Sequence, residues 1–520
     1  MKKFGISLYS IVETEDDVRE YLGISYIKTF LEDNGIPCKA KVIYRDEMDK
    51  ELLTYDEFPN LIGIALYCNN QHLVSLFCDK IKKICEACQI FLGGPQVMEY
   101  EQDILQKMPL VSFVCTGEGE ETVYDAVLRL MKGKTLHGCQ GITFRENDKI
   151  IQNSRRKVVP ELNKFSFPYR ELNVKNRKRY FYIVGSRGCL GCCTFCAEYI
   201  TGGADVRVRS PGNIVDEIEY LYKKHGVNKF HFTDPTFEDP GQIGIERAEK
   251  IYKEIIQRKL KIRLVMYTRA NIVKNMSDMY YELAYEAGVE SFFVGIESAV
   301  PSELKLYAKK TTAQENLLAI KKIQRHGIYV SFGFICFNPY STYQSIQENL
   351  NFLKASGLVY NSHQVLSRLE IMPQAPIKKK LINDGLLNGF HFDTDLYSYK
   401  YVHQEIADFR ERIASVLNLE HLIDYDSQIA MDKIYYQKIV PDFFDKYLRK
   451  VFDNISECWK IRNEEIYEFM SKALTLHKNN GANMEFADYI KGNKIDFYDK
   501  RIKQLFYQYK KIILKELGDI

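Results

Sequence analysis

Eight residues constrain this chain more than any others: Cys189-Leu190-Gly191-Cys192-Cys193-Thr194-Phe195-Cys196. They follow Tyr180-Phe181-Tyr182-Ile183-Val184, an apolar run that reads as a strand, and the turn residues Gly185, Ser186 and Gly188. Cys189, Cys193 and Cys196 are separated by three and then two residues. On a loop, that spacing lets three thiolates converge on one iron–sulfur cluster. A cubane of four irons takes four ligands, so three cysteines leave one iron for something that is not protein. The competing possibility is zinc, because Cys189/Cys192 and Cys193/Cys196 are both C-x-x-C pairs. Zinc knuckles need such pairs well separated, so that two turns face one another. Here the pairs abut, which crowds a four-thiolate tetrahedron and leaves Cys192 as a bystander.

The rest of the chain sets the context for that loop. Its 520 residues suggest roughly three domains, and 46% hydrophobic with 27% charged residues describes a soluble globular protein with ample core. A net charge of +3 gives no reason to expect nucleic acid or an anionic membrane as partner. No apolar run approaches the roughly 18 residues of a spanning helix, and the stretch Met1–Tyr9 is too short for a signal peptide. The expectation is a cytoplasmic protein without membrane contact. Thirteen cysteines scattered over this length then read as buried apolar groups or metal ligands, not a disulfide framework.

Residues 1–135 alternate short apolar runs with helical patterns. The expected strands are Phe4–Tyr9, Lys39–Tyr44, Leu61–Tyr67, Gln89–Leu92 and Leu110–Cys115, with helices near 17–34, 71–87, 99–107 and 120–132. Such alternation means a doubly wound parallel sheet, whose ligands bind on loops beyond the carboxyl ends of the strands. Those loops carry Tyr67-Cys68-Asn69-Asn70, Gly93-Gly94-Pro95 and Thr116-Gly117-Glu118-Gly119-Glu120. Residues 136–179 read as a hairpin with its turn at Glu146-Asn147-Asp148, then a linker in which Pro160 and Pro168 interrupt any long helix.

From 180 to 384 the alternation resumes. Strands are expected at 180–184, 229–233, 262–267, 291–295, 328–335 and about 362–369, with helices near 211–225, 242–258, 277–287, 314–326 and 343–355. Ser210-Pro211 supplies a cap and a first-turn proline, and Gly226, Gly288 and Gly327 sit just past helix ends. Six strands with five intervening helices make a partial (β/α)6 barrel, whose chemistry sits on loops at the strand C-termini. The cysteine loop is at that end. Residues 385–520 read as a helical domain, with stripes such as Phe444, Leu448, Val451, Phe452 and Ile455 serving as core. The expected fold is thus α/β: an N-terminal Rossmann-like sheet, a central barrel and C-terminal helices.

Cys-x3-Cys-x2-Cys with an aromatic residue before the last cysteine, on the first loop of such a barrel, resembles the radical S-adenosylmethionine (SAM) superfamily. The resemblance implies a [4Fe-4S] cluster on Cys189, Cys193 and Cys196, whose open iron takes SAM and whose electron cleaves it to a 5′-deoxyadenosyl radical. Downstream stretches extend it: Arg207-Val208-Arg209-Ser210-Pro211, Phe232-Thr233-Asp234-Pro235, Tyr267-Thr268-Arg269 and Gly295-Ile296-Glu297-Ser298. On this resemblance SAM contacts fall to Phe195, Asp234, Arg269, Glu297 and Ser298. The preceding sheet resembles the cobalamin-binding domain of the cobalamin-dependent branch, which implies contacts from Asn69, Asn70, Gly93, Gly94, Pro95, Gly117, Glu118 and Gly119. The Asp-x-His-x-x-Gly signature that supplies a cobalt ligand is absent, so cobalt is expected to lack a histidine, and the alternative is a degenerate domain that has lost cobalamin. The resemblance covers about residues 4–380.

The activity implied is C-methylation of an unactivated carbon, with two alternatives: a radical cyclisation, rearrangement or epimerisation without methyl transfer, and a non-enzymatic sensor or electron carrier. The partners implied are a small-molecule or peptide substrate and an electron donor such as flavodoxin or ferredoxin. Phe337-Asn338-Pro339-Tyr340-Ser341-Thr342 and Met372-Pro373-Gln374-Ala375-Pro376 depart from the family pattern where substrate would approach. Cys85 and Cys88 read as buried apolar groups, with a second cluster on the N-terminal cysteines as the alternative, and His72 as an ordinary loop histidine, with a cobalt ligand as the alternative. Lys378-Lys379-Lys380 reads most simply as a solvated helix face, with steering of an acidic substrate as the alternative.

Overall fold

A computed structural model describes residues 4–14, 20–67, 69–147, 149–170, 180–198, 205–391, 394, 396–417, 423–492 and 495–517. Cys68, Asp148 and the end of the linker at 171–179 lie outside the described residues. Seven strands form the first sheet: β1 (Ile6–Val12), β2 (Lys39–Tyr44), β3 (Leu61–Ala65), β4 (Gln89–Gly93), β5 (Phe113–Cys115), β6 (Ile142–Glu146) and β7 (Lys149–Gln152). Their order is β2-β1-β3-β4-β5-β6-β7. Strands β1 to β5 are parallel. The hairpin β6–β7, set apart in the sequence reading, extends the sheet antiparallel to β5.

Every residue of β1 is buried, as expected of a parallel strand covered on both faces. Ile6 and Leu8 pack with Ile24, Leu31, Val123 and Val127 from the helices Leu22–Asp33 and Gly119–Met131. Tyr9 and Ile11 turn the other way, toward Leu73, Val74 and Phe77 of Gln71–Ile84. Each such side chain contributes about 1.5–3 kcal/mol, so the two-residue alternation pins the register. Because β1 pairs with both β2 and β3, the sheet changes direction there. A crevice at such a switch point, outside the strand ends, is where open α/β sheets take ligands.

The second sheet contains β8 (Phe181–Ile183), β11 (Lys229–Phe232), β12 (Arg263–Arg269), β13 (Val289–Glu297) and β14 (Tyr329–Phe334), all parallel, in the order β14-β13-β12-β11-β8. Between β8 and β11, β9 (Ser186–Arg187) and β10 (Arg207–Val208) form a small antiparallel pair behind the cysteine loop. The helix signals read from sequence are realised: Ser210 caps Pro211–His225 by accepting from Asn213 N, and Gly226 ends it at φ +67°.

The sixth strand is a correction. Ser362–Leu366 is a helix, because Asn361 caps it through His363 N while Gln364 reaches back to Asn361 N. Only a single bridge, Phe337 to Arg368, continues the sheet. A second correction falls just beyond residue 385, where β15 (Leu387–His391) and β16 (Leu396–Tyr399) form a hairpin ahead of the helices.

One of the C-terminal helices, Ile423–Ile439, packs at the end of the barrel opposite the cysteine loop. Asp432, on Ile423–Ile439, meets Arg263 at 2.9 Å, and Arg263 also pairs with Glu290 at 2.7 Å. Arg263 opens β12 and Glu290 is the second residue of β13, so this buried ion cluster closes the barrel base. Among the described residues, no helix is long and apolar enough to cross a membrane.

Candidate functional site

The cysteine loop leaves the carboxyl end of β8 and is held from four directions. Leu190 N donates to Asp239 Oδ2 at 3.1 Å. Thr194 N donates to Tyr307 O at 3.1 Å, Thr194 Oγ1 to Leu306 O at 2.7 Å, and Ile377 N to Thr194 O at 2.7 Å. Phe195 packs its ring edge-on against Tyr307, with centroids 5.6 Å apart. Cys189 is buried, and Cys192, Cys193 and Cys196 are half-buried.

Backbone donors already face two of the sulfurs: Gly191 N lies 3.2 Å from Cys189 Sγ, and Glu198 N 3.4 Å from Cys196 Sγ. Burial pushes the Cys193 thiol up, opposed by the Lys309 cation. It lifts Cys196 to about 11, opposed by the Glu198 amide. As free thiols both are protonated, so loading iron here releases protons. Among the described residues, no three His, Cys, Asp or Glu side chains converge on one point as a lone ion requires. A cubane, whose ligands sit on separate irons, asks for no such convergence. Three thiols on one braced loop, with amide donors to sulfur, fit a cluster.

The strand ends beside the loop carry the other candidates, and burial sorts them. Arg269 closes β12 beside the loop: a Cβ on Gly191 would lie 3.3 Å from Arg269 Nη1. Its Nη2 pairs with Asp239 Oδ1 at 2.6 Å. Asp239, absent from the sequence-based candidates, thereby clamps both the loop and the arginine. Glu297 ends β13 in a left-handed conformation, φ +66°, which is strained for a residue with a Cβ. It faces Lys309 Nζ at 3.4 Å. Space for that pair comes from glycine: a Cβ on Gly333 would lie 2.9 Å from Glu297 Oε2, and one on Gly295 2.8 Å from Lys309 Nζ. Lys309 was also missed, because its sequence neighbourhood, Ala308-Lys309-Lys310, gives no sign that the middle lysine is buried.

Two further candidates are placed differently from the expectation. Asp234 is fully buried, accepting from Gly185 N at 2.7 Å and facing Arg247 at 3.4 Å. It braces the start of the cysteine loop from beneath. Ser298 is also fully buried, bonded to Glu303 at 2.6 Å and accepting from Val300 N, within a network that includes Asn349 and Asn338. The departing segments are likewise used internally: Asn338 donates to Glu303, and Gln374 donates to Met98 O at 2.9 Å, tying barrel to N-terminal sheet.

Between the carboxyl ends of β3, β4 and β5 and the top of the barrel lies a cavity of about 360 Å³. Gly93, Gly94, Pro95, Gly117, Glu118 and Gly119 line one wall. Gly94 cannot be replaced cheaply, since its φ is +109° and a Cβ would lie 2.6 Å from Leu66 O. The opposite wall comes from the barrel, through Ser186, Arg187, Glu198, Thr233 and Pro235. Glu118 is committed to the domain junction, pairing with Arg207 at 2.7 Å and Arg187 at 3.2 Å. Burial pushes its carboxyl up, and the two arginines more than offset this, leaving it below the usual range. Asn69 and Asn70 do not line the cavity. Asn69 is exposed, while the buried Asn70 side chain accepts from Tyr67 N and donates to Ile11 O and Ala65 O, joining the ends of β1 and β3.

Residues 183–353 match the family described as the Radical SAM superfamily. The barrel therefore carries a radical SAM domain, over about a third of the chain. Among curated relatives, an uncharacterized methyltransferase of Pyrococcus horikoshii is 25% identical over 348 residues, covering 65% of this chain and 74% of that protein. The anaerobic magnesium-protoporphyrin IX monomethyl ester cyclase of Synechocystis is 28% identical over 246 residues, 46% of this chain, and the match spans only 48% of the cyclase. Among solved structures, the cobalamin-dependent SAM radical enzyme OxsB, with aqua-cobalamin bound, superposes with a TM-score of 0.69 at 18% identity, over 99% of this chain and 81% of OxsB. The methyltransferase TsrM of Kitasatospora setae, with cobalamin and a [4Fe-4S] cluster bound, gives 0.63 at 16% identity, over 73% and 75%. These likenesses establish the fold. They also extend it: the region beyond residue 380, outside the resemblance read from sequence, has a structural counterpart in OxsB.

Proposed function

We propose that this chain is a cobalamin-dependent radical SAM C-methyltransferase acting on an unactivated carbon of a small-molecule or peptide substrate. The observation that carries the reading is the cavity between the two domains. It lies at the switch point of the first sheet, and Glu198, two residues past Cys196, forms part of its far wall. A cofactor held there would border the loop that carries the cluster cysteines. When bound, the cluster and SAM supply an electron and a deoxyadenosyl radical, and cobalamin supplies the methyl-carrying face.

The chain's own residues do the holding. Cys189, Cys193 and Cys196 hold the cluster, and Asp239 and Thr194 fix the loop that carries them. Arg269 and Lys309 place positive charge beside the open coordination site, where the SAM carboxylate belongs. Glu297, set in its left-handed turn, offers an acceptor for the SAM amino or ribose groups. Leu8, Ile24, Ile64 and Phe91 keep water out of the cavity floor. The electron comes from outside the chain.

A second reading, radical chemistry without methyl transfer, is favoured by the relative named as a cyclase, 28% identical over 246 residues. One experiment separates the two. Anaerobically purified, reconstituted protein should show the visible spectrum of bound cobalamin and release 5′-deoxyadenosine from SAM on addition of dithionite, and Cys193→Ala should abolish that release. S-adenosylhomocysteine formed alongside marks methyl transfer; deoxyadenosine alone marks the second reading. SAM cleavage by a variant lacking all three cysteines refutes both.

A further inference from the structure

The barrel strands leave their own interior partly unfilled. Ile183, Phe232, Met266 and Val294 are buried in the helix-facing core. On the opposite face Tyr182, His231, Tyr267, Phe293 and Ser331 are only half-buried. Four of these form a continuous band of rings. Tyr182 meets His231 edge-on at 5.4 Å between centroids, His231 stacks on Tyr267 at 5.0 Å, and Tyr267 meets Phe293 edge-on at 5.3 Å. Two residues further along a strand is the same face, about 6–7 Å nearer the cysteine loop. Those positions hold Val184 and Thr233, which line the interdomain cavity, and Arg269 and Gly295, which border the cleft beside Cys192 and Cys193. The band is therefore one layer beneath both.

Two polar groups in this band are left over by the fold. Neither Tyr267 nor His231 makes a side-chain hydrogen bond among the described residues, and His231 Nε2 is buried without a partner. Burial pushes the Tyr267 phenol up and lowers the His231 imidazole to about 4, so both are neutral. A buried polar group left unpaired is destabilising, and native proteins hold few of them. Nothing in the band is charged. The charged groups at the mouth above it are already paired, Arg269 with Asp239 and Lys309 with Glu297.

We infer that Tyr267 and His231 select the substrate: the band holds an uncharged flat ring against its aromatic faces, and these two side chains hydrogen-bond polar groups on that ring. The inference rests on the radical SAM reading and narrows its substrate to one class. Contact of ring with ring supplies most of the attraction. The phenol and the neutral imidazole can each donate or accept, so they set how the ring is turned. A carboxylate or ammonium on the ring would be desolvated in the band without a counter-charge, which disfavours it.

The test compares wild type with Tyr267→Phe and His231→Phe, which keep a ring in place and remove the polar atoms. Each protein is reconstituted with cluster, cobalamin and SAM and left unreduced, so that the cofactor sites are filled. Uptake of 2-naphthol and of the anionic 2-naphthoate at neutral pH is then measured by equilibrium dialysis, with folding checked by circular dichroism. Wild type should bind 2-naphthol at least about 10-fold more tightly than 2-naphthoate. Each variant should fold and bind 2-naphthol about 3- to 10-fold more weakly, the loss expected for one neutral hydrogen bond. Unchanged 2-naphthol affinity in either variant overturns the assignment of the pair. Equal uptake of 2-naphthoate, or no uptake of either probe by wild type, overturns the uncharged-ring class. A wild type that releases no 5′-deoxyadenosine on addition of dithionite refutes instead the radical SAM reading underneath.

Discussion

Asp239→Ala is the most direct challenge to the way this site is built. Asp239 is 1% exposed and holds two groups at once, Leu190 N through Oδ2 and Arg269 Nη2 through Oδ1. A hydrogen bond to a buried carboxylate contributes about 1.5–3 kcal/mol, and removing one partner of a buried ion pair costs about 3–5 kcal/mol. Arg269 is 18% exposed, so water recovers part of the second loss. Burial itself pushes the Asp239 carboxyl up, with Arg269 opposing, so deleting it also removes a desolvation penalty. The balance is about 2–3 kcal/mol, concentrated on the cysteine loop, or roughly 30- to 150-fold in the population of its closed form. The assay is iron loss to a chelator from reconstituted protein under anaerobic conditions, with thermal unfolding followed by circular dichroism. Asp239→Ala should fold and lose iron at least about 30-fold faster than wild type. Asp239→Asn keeps an acceptor for Leu190 N and should fall between them. A folded alanine variant as chelator-resistant as wild type would show that the clamp does not hold the loop.

Glu238 and Gly93 give two further tests. The fully buried Glu238 accepts from Tyr280 at 2.6 Å and Thr268 at 2.8 Å, yet burial lifts its pKa to about 7. The folded protein therefore keeps a proton that the unfolded chain releases near pH ~4.3. Stability from this group is fully present below that pH and is lost as pH rises toward 7, by about 3 kcal/mol. Glu238→Gln should flatten denaturant-measured stability between pH 5 and 8, and an unchanged slope would rule out Glu238 as its source. At Gly93, an added Cβ would have only Cys115 O at 3.8 Å and Cys115 Cβ at 3.9 Å for neighbours, both ordinary contacts, on the cavity wall. Gly93→Val should leave the fold and the cluster absorption intact while weakening cobalamin uptake at least about 10-fold; undiminished uptake would move cobalamin out of this cavity.

Position along the chain and use in the fold are separate kinds of information. The cysteine spacing and the glycine loops at strand ends were legible because their meaning is local: a three-thiol turn needs nothing from elsewhere, and Gly94 is dictated by its own φ. Asp234, Ser298 and Asn70 were correctly located at strand ends, but each is spent on a partner supplied by a distant part of the chain, such as Asn349 for Ser298 or Ile11 O for Asn70. Asp239 and Lys309 were passed over for the converse reason. Their loops carry no motif, and what gives them a role is contact with Leu190, Arg269 and Glu297 across the barrel mouth. The mistaken strand at 362–369 belongs to a different class, because its correction was written locally. Asn361-Ser362-His363-Gln364 is a capping box, and its helix signal outranks the apolar run Val365-Leu366 that suggested a strand. Polar residues at the mouth of such a barrel therefore divide by what they border: Asp234 and Ser298 bond wholly beneath the loops and shape them, whereas Arg269 and Lys309, though each is paired with a carboxylate, line the small cleft beside Cys192 and Cys193, and that cleft is where ligand chemistry has to be sought.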